Sequence, residues 1–225
     1  MTDSSTRRSI ILGGAAALLS GCVQMPDLGD SGWVLTDHAR PAPSTPATPQ
    51  IIESNANGVL RLRQGRGFET TMTLTAGTGE DLHWVSPQRL LIATRNGRVV
   101  RSVGFRSNLR TTRFLSPDPV ATGLHRGGDP GEAKRLVDLP EGNRFGHLIT
   151  SRFEVVGGDR INLFEAGRDV ILVRESNVMT PEGWSFENLF WIDPQTGFVW
   201  RSVQHIAPGV APIEIDVLRP PRVAR

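Results

Sequence analysis

Cys22 is the single cysteine in 225 residues, so the chain forms no disulfide within itself even in an oxidising compartment. Tyrosine is absent and Lys134 is the lone lysine, so basic charge is carried almost wholly by arginine. The formal net charge of +2 presents no dense basic face and makes no case for nucleic acid. His38, His83, His125, His147 and His205 are scattered, without the spacing that a metal centre requires. The Gly-x-Ser-x-Gly elbow of serine hydrolases is missing. Gly127-Gly128 is followed by Asp129-Pro130 rather than Lys-Ser/Thr, which removes a phosphate-cradling loop. No cofactor is implied, and no long segment carries helical periodicity.

What is present begins with an export signal. Arg7 and Arg8 precede an uncharged run from Ser9 to Gly21, of signal-peptide length and too short to span a bilayer as a helix. It ends in Leu19-Ser20-Gly21-Cys22, which resembles a bacterial lipobox, with residues 1–21 removed and Cys22 acylated. Thr6-Arg7-Arg8-Ser9-Ile10-Ile11-Leu12 also resembles a twin-arginine signal, although an ordinary Sec signal accommodates the same residues. Val23 stands where the enterobacterial sorting rule reads Asp as an inner-membrane signal, so the expected address is the periplasmic face of the outer membrane. Several acyl chains hold such an anchor, each buried methylene contributing about 0.8 kcal/mol.

Residues 22–52 read as a lipidated tether in which Pro41, Pro43, Pro46 and Pro49 favour extended backbone. Beyond it, residues 53–225 read as a β-rich periplasmic domain. Val59 to Arg63, Glu69 to Ala76, Leu90 to Thr94, Arg98 to Val103, Arg152 to Val156, Arg160 to Phe164, Val170 to Glu175, Leu189 to Asp193, Phe198 to His205 and Ile213 to Leu218 are the expected strands. Asn96-Gly97, Gly157-Gly158-Asp159 and Asp193-Pro194-Gln195-Thr196-Gly197 are the expected turns. Arg113 to Gly131 reads as a loop, and Glu132 to Val137 as a short helical turn. The fold class is all-β, an antiparallel meander forming a barrel or sandwich from two similar strand-hairpin halves, near 58–115 and 132–220.

The halves are suggested by a repeat. Gly97-Arg98-Val99-Val100-Arg101-Ser102-Val103 and Gly197-Phe198-Val199-Trp200-Arg201-Ser202-Val203 share the pattern G-x-V-x-R-S-V. Trp84 and Ile92 match Trp184 and Ile192 at the same offset. Arg101 and Arg201 then line a polar lumen, pair with a carboxylate such as Glu175, or extend to solvent over neighbouring valines.

Catalysis by paired carboxylates has Glu175, Glu182, Glu187 and Asp193 as its candidates, each read first as a turn or surface acid. Trp184, Phe186, Phe190, Trp191, Phe198 and Trp200 crowd one stretch. Buried, they are a β core; exposed, they stack on sugar rings.

Trp84, Gly97 to Gly104, Asn108-Leu109, Trp184 to Asn188, Trp191-Ile192-Asp193-Pro194, Thr196-Gly197 and Trp200 to Gln204 together resemble the YjbF/GfcB lipoproteins. The resemblance covers roughly Val59 to Pro220 and fits least well from Leu115 to Phe145. It implies a non-enzymatic accessory factor in exopolysaccharide or capsule secretion. The implied partners are an outer-membrane β-barrel protein and a small periplasmic component. No catalytic residue is carried over. The competing expectation is a glycan-binding or glycan-cleaving envelope lipoprotein, with Trp184, Trp191, Trp200, Arg101 and Arg201 as candidate glycan or partner contacts. A Cys22→Ser form is expected to fold normally yet fail to support polysaccharide export, which an export assay in cells carrying only that form would report.

Overall fold

In Trp184–Ile192 the even-numbered side chains turn inward and the odd-numbered ones outward, the two-residue period of a strand with one face on a core. The same chemistry, repeated along the chain, builds twelve strands. The computed structural model describes residues 44–221 except 67, 128–130 and 165. The expected signal peptide, Cys22, Trp33 and the tether up to residue 43 lie outside the described residues.

The strands are β1 (Val59–Gln64), β2 (Phe68–Thr78), β3 (Asp81–Val85), β4 (Leu91–Arg95), β5 (Arg98–Val103) and β6 (Thr111–Phe114), then β7 (Glu132–Leu139), β8 (Arg144–Leu163), β9 (Ala166–Thr180), β10 (Trp184–Ile192), β11 (Val199–Gln204) and β12 (Ile213–Arg219). They form one antiparallel sheet in the order β5-β4-β3-β2-β1-β12-β11-β10-β9-β8-β7-β6. Every neighbour pair is consecutive in the chain except β1 with β12, which closes the meander. The all-β expectation is met by a nearly closed, barrel-like sheet.

Its two ends are β5 and β6, consecutive in sequence. They meet not through a ladder but through Ser102, whose N–H donates to the Leu109 carbonyl at 2.7 Å while its hydroxyl accepts from the Leu109 N–H at 2.8 Å. A flattened cross-section brings β5 against β11 as well. The Gln204 amide accepts from Val99 N–H at 3.0 Å and donates to the Gly97 carbonyl at 2.9 Å, standing in for the strand that β5 lacks on that edge. Leu60, Leu62, Met72, Trp84, Ile92, Ile213 and Ile215 fill the main core. Phe190, Ile192, Val173 and Phe153 form a second cluster under Val120 and Leu124.

Several expectations are corrected. Gly157-Gly158-Asp159 is no hairpin turn: it lies within β8, where a register shift between Val155 and Gly157 lets the strand continue as a bulge. The strands expected at 152–156 and 160–164 are therefore one. Glu132 to Val137 is not a helical turn but most of β7, whose alternating burial runs Ala133, Arg135, Val137, Leu139. The loop expected from Arg113 to Gly131 contains the end of β6, a short helix α2 (Pro119–Thr122) and a 3-10 turn at Leu124–Arg126. Ahead of β1, Thr45 bridges Thr70 of β2, and helix α1 (Pro49–Ser54) follows a Thr48 cap. Arg219 holds that helix by donating to the carbonyls of Ile52, Glu53 and Asn55 at 2.8–3.0 Å.

The repeat acquires a precise register. In β4–β5, Ala93 faces Arg101 and Thr94 faces Val99, leaving Val100 as the extra residue of a bulge. In β10–β11, Trp191 faces Arg201 and Ile192 faces Val199, leaving Trp200 as the extra residue. The second turn is two residues longer, so Ile92 corresponds to Phe190 rather than to Ile192, both facing the repeated serine. Trp84 and Trp184 stand on strands of different rank, β3 and β10. The two repeat turns are packed differently. A Cβ on Gly97 would lie 2.4 Å from Val199, whereas one on Gly197 would meet the His125 ring at 2.5 Å.

Gly97 combines φ +83° with that contact, while Gly79, at φ +61°, has nothing within 4 Å. Gly79→Ala is expected to cost about 1–2 kcal/mol through backbone strain. Gly97→Ala adds an overpacking cost of about 1–3 kcal/mol, a difference that urea unfolding of the two variants measures.

Candidate functional site

The unusual chemistry lies under the seam between β5 and β6. Glu175 points inward from β9, 0% exposed, between Arg98 of β5 and Arg135 of β7. Both of its oxygens are engaged at 2.8 Å, Oε2 by Arg98 Nη1 and Oε1 by Arg135 Nη1. The Asn188 amide also donates to Oε2 at 2.8 Å. Arg98 turns its remaining fork to Asp118, with Nη2 to Oδ1 at 3.0 Å. Asp118 in turn caps α2 by accepting from Val120 N–H. Arg135 also reaches Ser151 and Asn177. Two guanidinium and two carboxylate charges thus balance in the interior, which is how buried ions escape the cost of standing unpaired.

The electrostatics follow this geometry. Burial pushes the Glu175 carboxyl up, but the charges and hydrogen bonds of Arg135 and Arg98 outweigh it and hold the group far below its ordinary value. Arg98 is likewise opposed by burial, then held charged by Asp118 and Glu175, with its pKa raised. For Arg135 burial dominates and is reinforced by Arg98, so its pKa falls. A carboxylate locked in this way cannot serve as a general acid. Glu175 was expected to be a turn or surface acid and is neither.

The remaining acids are dispersed. Asp193 is a turn acid, its Oδ1 accepting from the N–H groups of Gln195 and Thr196 and its Oδ2 from Trp200 Nε1. Partial burial raises its pKa, and the donors from Thr196, Trp200 and Gln195 bring it below the ordinary value. Glu182 sits at the other end of β10 with Arg144 and His147, roughly 30 Å away by strand rise. Glu187 is 63% exposed on the outer face. These four acids share no cleft.

The tryptophans do not make one platform. Trp200 is 8% exposed, in edge contact with Phe198 and covered by the Arg168 guanidinium 3.5 Å above its ring. Trp184, half-buried and turned inward, stacks on Phe186 at 4.0 Å. Trp191, also half-buried, faces outward and donates to Asp159 at 2.7 Å. The interior space edged by Trp184, Phe186, Thr112 and Asn188 measures 20 Å³, room for one water and not for a sugar ring.

Arg201 is not equivalent to Arg101 in its surroundings. Opposite it on β12 stands Asp216, 1% exposed, which also pairs with Arg61 of β1. Trp191, Arg201, Asp216 and Arg61 therefore form one cross-strand row on the outer face. Arg101 is exposed and makes no ion pair among the described residues. The buried ionic cluster was missed because its members are far apart in sequence. The available signal was polar residues at inward positions of an alternating strand, Glu175 and Asn177 after Val173.

Residues 33–218 match the family model described as "Group 4 capsule polysaccharide lipoprotein gfcB, YjbF". The uncharacterized lipoprotein GfcB of Escherichia coli (strain K12) is 28% identical over 174 residues, 76% of this chain and 80% of that one. The crystal structure of the hypothetical lipoprotein YmcC from Escherichia coli (K12) superposes with a TM-score of 0.69. It is 25% identical and covers 77% of this chain and 89% of its own.

Glu175→Gln leaves buried Arg135 without a carboxylate and Arg98 with Asp118 alone, and is expected to lower unfolding free energy by about 3–5 kcal/mol, against about 0.5 kcal/mol or less for Glu187→Gln. The depressed folded pKa of Glu175 means that its contribution is complete above the unfolded value of 4.5. That contribution is lost as pH falls below it towards the folded value. Denaturant titrations from neutral to acid pH would show this slope in the parent and a shallower one in Glu175→Gln.

Proposed function

The chain belongs to the YjbF family of group 4 capsule polysaccharide lipoproteins, and on that premise we propose that it is a non-enzymatic accessory component of capsule or exopolysaccharide secretion. It is held by acylated Cys22 at the periplasmic face of the outer membrane and works beside a β-barrel export protein and a periplasmic component. One observation carries the non-catalytic part. Glu175, the candidate acid that lies in the interior, is locked between Arg98 and Arg135, and the other candidate acids stand apart from it. Their pairings support a scaffold, whose polar interior serves to hold shape. For glycan cleavage, the competing expectation, Glu175, Glu182, Glu187 and Asp193 do not converge as a pair.

Affinity capture of the tagged full-length protein from cross-linked outer membranes tests the proposal. Recovery of an outer-membrane β-barrel protein is the expected result, with Cys22→Ser recovering much less. Capture of no envelope export component by the acylated protein would sink it.

A further inference from the structure

Charge is distributed along this chain far less evenly than its total suggests. Residues 82–117 contain seven arginines and no Asp or Glu, so this run carries +7 while the remainder carries −5, giving the net +2. The absence of a dense basic face, expected from the total, overlooked this segment. It folds into most of β3, then β4, β5, β6 and their connections, and so includes both edges of the seam. Arg95 pairs with Asp81, and Arg98 is consumed by Asp118 and Glu175. The other five, Arg89, Arg101, Arg106, Arg110 and Arg113, are exposed and make no ion pair among the described residues.

The fold gathers four of these, Arg101, Arg106, Arg110 and Arg113. The paired bonds between Ser102 and Leu109 set Arg101 and Arg110 on opposite sides of the seam, with Arg106 on the connection between them. Arg113 follows on β6, opposite Leu136 of β7. The acids nearby, Glu141 and Asp138, bond neutral donors and pair with none of these arginines. Glu141 accepts from the Asn108 backbone and side chain, and Asp138 Oδ1 accepts from Gly146 N–H. Clustered like charges repel one another, and an anion bound among them relieves that repulsion.

We infer that this arginine-lined seam binds an acidic polysaccharide. The choice of polymer rests on the capsule-related reading above; the surface itself rests on charge. A guanidinium offers a planar fork that matches a carboxylate with two parallel hydrogen bonds, and a uronic-acid polymer presents carboxylates at regular intervals. An anionic membrane surface fits less well. Phe105 is 3% exposed and Phe114 lies half-buried beneath Arg95, so neither of these two aromatics projects from the seam; the exposed apolar side chains beside it are Val103 and Leu115, without the wide apolar face of an interfacial anchor.

The test uses full-length protein purified from membranes in non-ionic detergent, with immobilised polygalacturonate as the probe and dextran as the uncharged control. Retention on polygalacturonate is expected at about 0.01 M salt, where charges act over about 30 Å, and release at about 1 M, where they act over about 3 Å. The variant carrying Arg101→Gln, Arg106→Gln, Arg110→Gln and Arg113→Gln should bind at least about tenfold more weakly. A variant with Arg66→Gln and Arg126→Gln, both exposed and outside residues 82–117, should bind as the parent does. Matching circular dichroism and thermal melts separate lost binding from lost folding. Equal binding by parent and fourfold variant overturns the inference, as does equal retention on dextran. Displacement of bound polygalacturonate by phosphatidylglycerol-containing vesicles, but not by phosphatidylcholine vesicles, overturns it in favour of a membrane surface. Capture of the export partners by the fourfold variant distinguishes the two readings. If capture persists without polygalacturonate binding, the accessory role stands, and if capture fails in the parent while binding persists, only the seam assignment stands.

Discussion

Two arginines sharing one buried carboxylate hold this molecule closed. A sheet that curls until its first and last edges meet ordinarily secures the join with a ladder of backbone hydrogen bonds, and here the join between β5 and β6 has little of one. The closing force comes instead from beneath, where Arg98 reaches from β5 and Arg135 from β7 to Glu175 on β9. Burying ions is costly, and a matched apolar cluster often gives equal or greater stability. What charge adds is direction. Each fork has a fixed geometry and each oxygen one arginine, so this cluster accepts one relative placement of three strands.

The same placement accounts for the serines and bulges of the repeat. Ser102 and Ser202 are both 1% exposed, and each hydroxyl satisfies a polar group that no ladder reaches, Leu109 N–H in one case and the Gln204 amide in the other. A bulge one residue after the repeated Val99 and Val199 turns the chain so that the following arginine faces outward. The two hairpins then diverge in use. Arg201 is tied into a row with Asp216 and Arg61, whereas Arg101 remains open to solvent.

Sequence patterning reached the strands wherever alternation or a tight turn was local. Arg98–Val103 matches its expected span, and Val199–Gln204 and Ile213–Arg219 fall within a residue of theirs. It failed where a distant partner overrides local preference. β3 contains His83 between Leu82 and Trp84 and shows no clean alternation until β2 and β4 flank it. Gly157 and Gly158 are turn formers, yet fifteen paired positions between β8 and β9 carry the strand through them. Arg135 is charged and resembles a surface residue in sequence. Only Glu175, forty positions later, makes its burial affordable. The candidate site suffered in the same way, because acids that are near in sequence were weighed while the one pairing that matters spans β5, β7 and β9. Averaging charge over the whole chain also hid the acid-free run from 82 to 117.

Arg219 has a mechanical consequence. Its guanidinium grips three carbonyls at the end of α1, and Thr45 is bridged to β2 just before it. Tension arriving from the N-terminal side therefore meets these two clasps before it reaches β1. Because β1 is the strand that joins the two arms of the meander, peeling it would open the whole sheet. The clasps act as strain relief, spreading a pull over β2 and β12 so that the closure can yield locally without unzipping the body.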